Sequence, residues 1–377
     1  MPAHTSIGSL PSDLLTQILG CLHRRDRHPA ALVSWRWHEA AHAPSLCRKV
    51  YCTTYGAASL KSLTAWLLRH GNHVRTLSLD SNEVEEEEEA RDSPPDEQGE
   101  QLLAGFFSAC AAAGLLESLT IIHTNQALRP LCIGAWLLSL PRLQKLDLVC
   151  EDGLQLTCSL HSLSALREME LITGYLHLVP SVHLPPQLTQ LTFEVEADIV
   201  LPEQLNDLRM LNTLLLSGAM LSAGSYGFLE RLPRLRCLHC RHSLAAPAGL
   251  SRLTGLEELV LDAVHEEGDL DAALRPLTRL TTLALLGLEA AWQPPPSVGG
   301  LSRQERACFM PKIAAGMPAA PATALPAGPW AASLRKLGAS YDTLLLSGAL
   351  LETFSQLERL TCFAGFIFQV AFKCRHA

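Results

Sequence analysis

The chain has 377 residues, 48% hydrophobic, 18% charged and 6% aromatic, enough apolar side chain for a large core, which excludes a chain disordered throughout. Its formal net charge is -8, but ten carboxylates between Glu83 and Glu100 face Arg91 alone and give that stretch -9. The remainder is near neutral and lacks the broad basic field that nucleic acid or an anionic membrane demands. The twelve cysteines are spread along the whole chain and the N-terminus, Met1-Pro-Ala-His-Thr-Ser-Ile, has no basic start or apolar stretch, so a reducing compartment, cytosol or nucleus, is expected.

The first element is Ile7-Gly-Ser-Leu-Pro-Ser-Asp-Leu-Leu-Thr-Gln-Ile-Leu-Gly-Cys-Leu22. Leu14, Leu15, Ile18, Leu19 and Leu22 fall at helical spacing, and Ser12 or Asp13 is expected to cap the helix. His23-Arg-Arg-Asp-Arg-His28 reads as a solvated turn, followed by a second helix from Ala30 that carries Leu32, Val33 and Trp37. Two short amphipathic helices build little core alone, so apolar surface seeking a partner is expected. Leu10-Pro11, Asp13, Ile18-Leu19, Leu22, Val33 and Trp37 resemble the F-box motif over residues 7 to 50. Ser34 stands where that family often has Cys and Trp35 where it often has a basic residue. The resemblance implies docking onto the Skp-family linker of a cullin–RING ubiquitin ligase, with Leu10, Pro11, Leu14, Ile18, Leu19, Val33 and Trp37 making or supporting the contact. The bland alternative is that these helices only cap the remainder of the chain.

From about residue 70 the pattern Leu-x-x-Leu-x-Leu recurs, with starts at Leu143, Leu166, Leu188, Leu211, Leu235, Leu256 and Leu280, a period of about 23 residues. Val74, Leu116, Leu334 and Leu357 begin outlying copies. The spacing resembles the leucine-rich repeat family. The expected fold is an α/β repeat solenoid: a short N-terminal helical motif (1–50), then a curved array with a parallel concave sheet (51–377). Each repeat supplies one strand whose fourth and sixth positions point inward while the third and fifth line the concave face. The asparagine that commonly follows the last leucine stands clearly at Asn82 only, with Asn125 one place late and Glu151, Ala219, Ser243 or Val264 elsewhere.

Two insertions break the period. The acidic stretch 83–101 reads as a solvated loop, and Leu102 to Leu116 after it as a buried helix. The Pro/Ala-rich stretch 292–330 reads as a disordered excursion. Beyond it, Thr343-Leu-Leu-Leu-Ser-Gly-Ala repeats the heptapeptide that starts at Thr213, which suggests duplicated repeats. The apolar C-terminal tail, Phe363 to Ala377, is expected to cap the array by folding back, unless the array is truncated.

Candidate chemistry is sparse. His38-Glu39-Ala-Ala-His42 matches a zinc-protease pattern, but it lies within the second helix of the F-box-like stretch with no room for a protease lobe before it. In Cys237-Leu-His-Cys240, strand alternation turns Cys240 inward and Cys237 and His239 outward, so the two thiols cannot share an ion. No phosphate loop, dinucleotide fingerprint or nucleophile elbow occurs. No enzyme activity, cofactor or metal is expected.

The resemblance to F-box/leucine-rich repeat proteins therefore implies a non-catalytic substrate receptor, with partners being the Skp-family linker, the cullin–RING ligase and a protein target, and neither nucleic acid nor membrane. The concave face offers Lys145, Asp147, Glu168, Glu170, Gln190, Glu194, His239, Arg241, Glu258 and Asp262, a surface suited to a basic or polar segment. The alternative is a leucine-rich repeat scaffold without ligase association.

Overall fold

The computed structural model describes residues 10–22, 24–54, 57–81, 97–112, 114–123, 131–179, 181–197, 203–221, 223–243, 247, 249–262, 270–288, 295–311, 323–324, 328–340, 344–345, 356–357, 359–364 and 366–371. Asn82, Asn125, Val264 and the acidic stretch 83–96 lie outside them. Two compact units are present, Met1–Asp152 with Ser162–Leu166, and Gly153–His161 with Arg167–Ala377.

The first unit opens with helices α1 (Ser12–Cys21), α2 (Arg24–Ala31), α3 (Trp35–Ala41) and α4 (Pro44–Cys47). Leu15, Leu19, Trp37 and Ala40 form a small core, with Leu10, Leu22, Ala30, Ala41 and Leu46 packed on it. Burying each leucine contributes roughly 1.5–3 kcal/mol, and that holds α1 against α3. Three local expectations are corrected. Neither Ser12 nor Asp13 caps α1: the N-cap position is Pro11, which has no side-chain acceptor to offer. The basic segment is helix α2 rather than a turn, and Arg27 uses it to donate to the free carbonyls of Gly20 and Leu22 at the end of α1, each at 3.2 Å. The second helix also does not run on from Ala30. The chain breaks at Leu32–Ser34, and Ser34 caps α3 by accepting from the Trp37 amide.

Strand β1 (Lys49–Thr54) comes immediately after α4 and pairs in parallel with β2 (Thr76–Ser81), with Val50 opposite Leu77 and Cys52 opposite Leu79. Cys47-x-x-Val50-x-Cys52 is thus a repeat strand in which small residues replace the leucines, and the sheet begins some twenty residues before the expected start. Helix α5 (Ala57–His70) connects β1 to β2, and α6 (Glu97–Ala112) connects β2 to β3 (Ser118–His123). Residues 97–101, expected in the acidic loop, are helical. The buried helix expected from Leu102 is present with Phe106, Ala109 and Cys110 inside, and Phe107 stacks on Trp136 at 4.2 Å. Short β4 (Leu131–Ile133) precedes β5 (Lys145–Cys150), which pairs in parallel with β3.

The second unit contains β6 (Leu154–Leu156), β7 (Glu168–Thr173), β8 (Leu176–Leu178), β9 (Gln190–Val195), β10 (Thr213–Leu221), β11 (Cys237–Ser243), β12 (Glu258–Asp262) and β13 (Thr282–Leu288). It continues with β14 (Arg306–Pro311), β15 (Thr323–Ala324), β16 (Lys336–Ser340), β17 (Leu344–Leu345), β18 (Arg359–Ala364) and β19 (Phe366–Ala371). The main sheet runs β7-β9-β10-β11-β12-β13-β14-β16-β18-β19, parallel through β18. Leu191, Phe193, Leu214, Leu216, Leu238, Cys240, Leu259, Leu261, Leu283 and Leu285 are all buried on one face, as period-two alternation requires. Register without the asparagine ladder is held by the backbone. At the start of each strand two successive amides donate to one carbonyl of the preceding repeat: Arg236 and Cys237 to Asn212, Glu257 and Glu258 to Arg236, Thr281 and Thr282 to Glu257.

The expectation for residues 292–330 is corrected over the described part, residues 292–294, 312–322 and 325–327 lying outside it. Pro296–Gly300 is a short 3-10 turn, β14 pairs in parallel with β13 and β16, and Val298, Leu301, Ala307, Phe309 and Trp330 are buried. This is a repeat with Gln304 at the first leucine position. The two copies of the heptapeptide differ in setting, and of the second only Leu344 and Leu345 are described. Thr213–Ala219 lies in the main sheet, but Leu344 and Leu345 pair with Thr323 and Ala324 in a separate two-stranded sheet. Leu211 sets the first copy in register, whereas Tyr341 stands at that position before the second and β16 already fills the strand slot. The tail does fold back: β19 lies antiparallel on β18.

Candidate functional site

Two surfaces carry the candidate residues. In α1 the helical period sorts adjacent leucines to opposite sides: Leu15 and Leu19 are 0% exposed, while Leu14 is 44% and Ile18 38% exposed. Pro11, one turn before Leu14, is also exposed. The break between α2 and α3 leaves Leu32, Val33 and Trp35 exposed at 73%, 64% and 70%. These large apolar side chains in water over so short a stretch form an exposed apolar patch. The predicted contact residues thus divide. Pro11, Leu14, Ile18 and Val33 are available to a partner; Leu19 and Trp37 sit in the core behind them, and Leu10 packs half-buried against it. Arg36 donates to the Leu10 carbonyl at 2.6 Å, fixing the Leu-Pro turn over α3. Sequence reasoning missed Leu32 and Trp35 as surface residues, because both were read as part of a continuous helix.

Next to this surface, His38, His42 and His70 form a run of rings, with centroids 4.4 Å and 5.0 Å apart. His42 Nδ1 is 2.8 Å from the His38 carbonyl, so it is engaged by its own helix instead of paired with His38 around an ion. Burial, then the neighbouring His42 and Arg69, hold His70 below its ordinary value. Among the described residues the protease pattern is not part of any group of donors close enough to hold a metal.

The second surface is the sheet face opposite the leucines. In the first unit Lys145 and Asp147 lie on β5, and Thr120 donates to Asp147 at 3.4 Å. Burial raises the Asp147 carboxyl, with Lys145 and Thr120 partly offsetting it. In the second unit Glu168 stands opposite Gln190 and Glu170 opposite Thr192, and Thr192 is buried. Arg241 Nη1 reaches Glu194 at 3.9 Å, and Asp262 stands opposite Leu286. The acidic character of this face is therefore partly neutralised from within.

Cys237, His239 and Glu258 come together on the same face. Glu258 lies directly opposite Cys237 in the β11–β12 register, His239 Nε2 is 3.1 Å from Glu258 Oε1, and Cys237 Sγ is 3.4 Å from His239 Nε2. Burial and then the Glu258 carboxylate push the Cys237 thiol up to about 12. Cys240 is fully buried on the other face, as alternation predicted, and burial raises its thiol to about 12.

Residues 7–53 match the F-box-like family model, which spans α1 to β1. A leucine-rich repeat protein of Leptospira interrogans superposes with a TM-score of 0.53 at 14% identity, covering 86% of this chain and 80% of that one; the likeness is one of fold. A TLR13–ssRNA13 complex gives a TM-score of 0.43 at 16% identity, over 84% of this chain and 54% of that one. No curated protein matches in sequence.

Proposed function

We propose, from the F-box-like match of residues 7–53 and the leucine-rich repeat likeness of fold, that this chain is the non-catalytic substrate receptor of an SCF-type cullin–RING ubiquitin ligase. The family pairing makes the chain a protein-interaction scaffold; the ligase role is the finer reading. The observation that carries it is the sorting of α1 and the α2–α3 break into a buried support, Leu15, Leu19 and Trp37, and an exposed apolar set, Pro11, Leu14, Ile18 and Val33. A Skp-family linker would bury that set. The repeat sheet would hold a protein target with Glu168, Glu170, Gln190 and Asp262 facing its basic or polar groups. Ubiquitin transfer then results from proximity, as the adaptor raises the local concentration of target at a separate charged enzyme. Cytosol and nucleus are the compartments that this role and the dispersed, reduced cysteines suit.

A second reading, a scaffold whose helices only cap the solenoid, draws on the direct passage from α4 into β1. Co-purification of the full chain with a Skp-family linker and cullin, beside a Leu14→Asp/Val33→Asp variant, separates the two. The receptor reading expects association that the variant abolishes while remaining folded. Association with neither protein by the unaltered chain leaves the scaffold.

A further inference from the structure

We propose that Cys237, His239 and Glu258 form a binding site for zinc or a comparable divalent transition-metal ion on the open face of the repeat sheet. The inference goes beyond the receptor reading and does not depend on linker docking.

The site is a product of register. Cys237 and His239 are two residues apart on β11, so both face the same side. Glu258 is 21 positions further on, one repeat later, which sets it directly beside Cys237 on β12 and diagonal to His239, within reach of long side chains. The three donor atoms all lie within 4.8 Å of one another. A tetrahedral zinc ion with Zn–S near 2.3 Å and Zn–N or Zn–O near 2.0–2.1 Å holds its donors about 3.3–3.6 Å apart. The observed Sγ–Nε2 and Nε2–Oε1 separations, 3.4 and 3.1 Å, already approximate two edges of that tetrahedron.

The surroundings favour a fixed site over a loose surface pair. His239 stands opposite Leu215 on β10 and Val260 on β12 in the register, so both neighbours share its face of the sheet. Its side chain is 22% exposed against 42% for Glu258, so the cluster is half sheltered yet open to solvent. A histidine–glutamate ion pair has no use for a thiol; a thiolate, an imidazole and a carboxylate together are a donor set that suits zinc. On binding, the Cys237 S–H bond breaks as the Zn–S bond forms and its proton leaves to solvent, and the His239 Nε2–H that faces Glu258 likewise gives up its proton through solvent as the Zn–N bond forms, so that the ligating ring is neutral with its proton on Nδ1. Among the described residues no fourth histidine, cysteine or carboxylate joins the group. The fourth position therefore faces outward, taken by water in the isolated chain and available to a donor atom of a bound molecule.

The test is titration of the purified, reduced full chain with Co2+, followed by Zn2+ competition against a chromophoric chelator. The expected result is one equivalent of ion with a thiolate-to-cobalt charge-transfer band and tetrahedral ligand-field absorption. Cys237→Ser should abolish the band, and His239→Gln and Glu258→Gln should each weaken binding at least about 10–100-fold, the range that loss of an outer-shell partner already costs. Cys308→Ser, elsewhere on the sheet, should leave it unchanged. His239→Gln, a partly exposed replacement, keeps the test valid if Cys237→Ser disturbs the fold. No bound equivalent in the unaltered chain, or a band that survives Cys237→Ser and His239→Gln, overturns the proposal.

Discussion

The most informative perturbation sets neighbouring leucines of one helix against each other. Leu14, Ile18 and Val33 are 44%, 38% and 64% exposed, together about one and a half side chains of apolar surface still in water. At roughly 1.5–3 kcal/mol per buried side chain, a partner that covers them gains about 2–4 kcal/mol, a factor of about 30 to 700 in affinity. The triple variant Leu14→Ala/Ile18→Ala/Val33→Ala should therefore weaken binding of a Skp-family linker by that factor in calorimetry, with surface-type effects on stability within about 0.5 kcal/mol per site. Leu15→Ala removes a side chain that is 0% exposed and should lower the opening free energy of α1 and α3 by about 2–5 kcal/mol, read by amide hydrogen exchange. Unchanged linker affinity in the triple variant, or undiminished protection of α1 in Leu15→Ala, would refute the sorting of these faces.

Gln304 is fully buried at a leucine position, its Nε2 donates to the Arg306 carbonyl and its Oε1 has no partner; Gln304→Leu should raise unfolding free energy by about 1 kcal/mol, and a destabilised variant in denaturant titration would contradict the repeat assigned there. Native alkylation near neutral pH should modify exposed Cys21 and Cys132 first and spare buried Cys110 and Cys240, because burial holds Cys240 at about 12 and raises Cys110 as well; mass spectrometry finding Cys240 modified before unfolding would count against its inward placement. Burial, partly offset by Asp152, holds the His123 imidazole below its ordinary 6.5, so the unfolded chain binds more protons as pH falls. Stability should then decline between about pH 7 and 5, and His123→Asn should flatten that decline; Asp147, raised by burial, acts in the opposite sense nearer about pH 4.

The repeat was legible because leucine at fixed spacing is both the sequence signal and the physical cause of the strand. It failed where another residue takes the leucine position: Cys47 at the end of α4 with Val50 and Cys52 in β1, and Gln304, Ala307 and Phe309 before and in β14. The F-box-like stretch was recognisable from Leu10-Pro11 and Trp37, yet recognition does not separate contact from support. Leu19 and Trp37 belong to the core because the break at Leu32–Ser34 redirects α3, and no residue pattern announced that break. The outward pair Cys237 and His239 followed from alternation. The outward position of Glu258 followed in the same way, but its proximity to them did not, since it arises from pairing between strands one repeat apart.

The central claim is tested most directly by mixing this chain with purified linker, cullin and RING subunit and determining the mass of the assembly by sedimentation. The account predicts one stoichiometric complex that contains all four chains and loses only this one when Leu14 and Val33 are changed to Asp. A linker–cullin–RING complex that sediments apart from the unaltered, folded chain would contradict it.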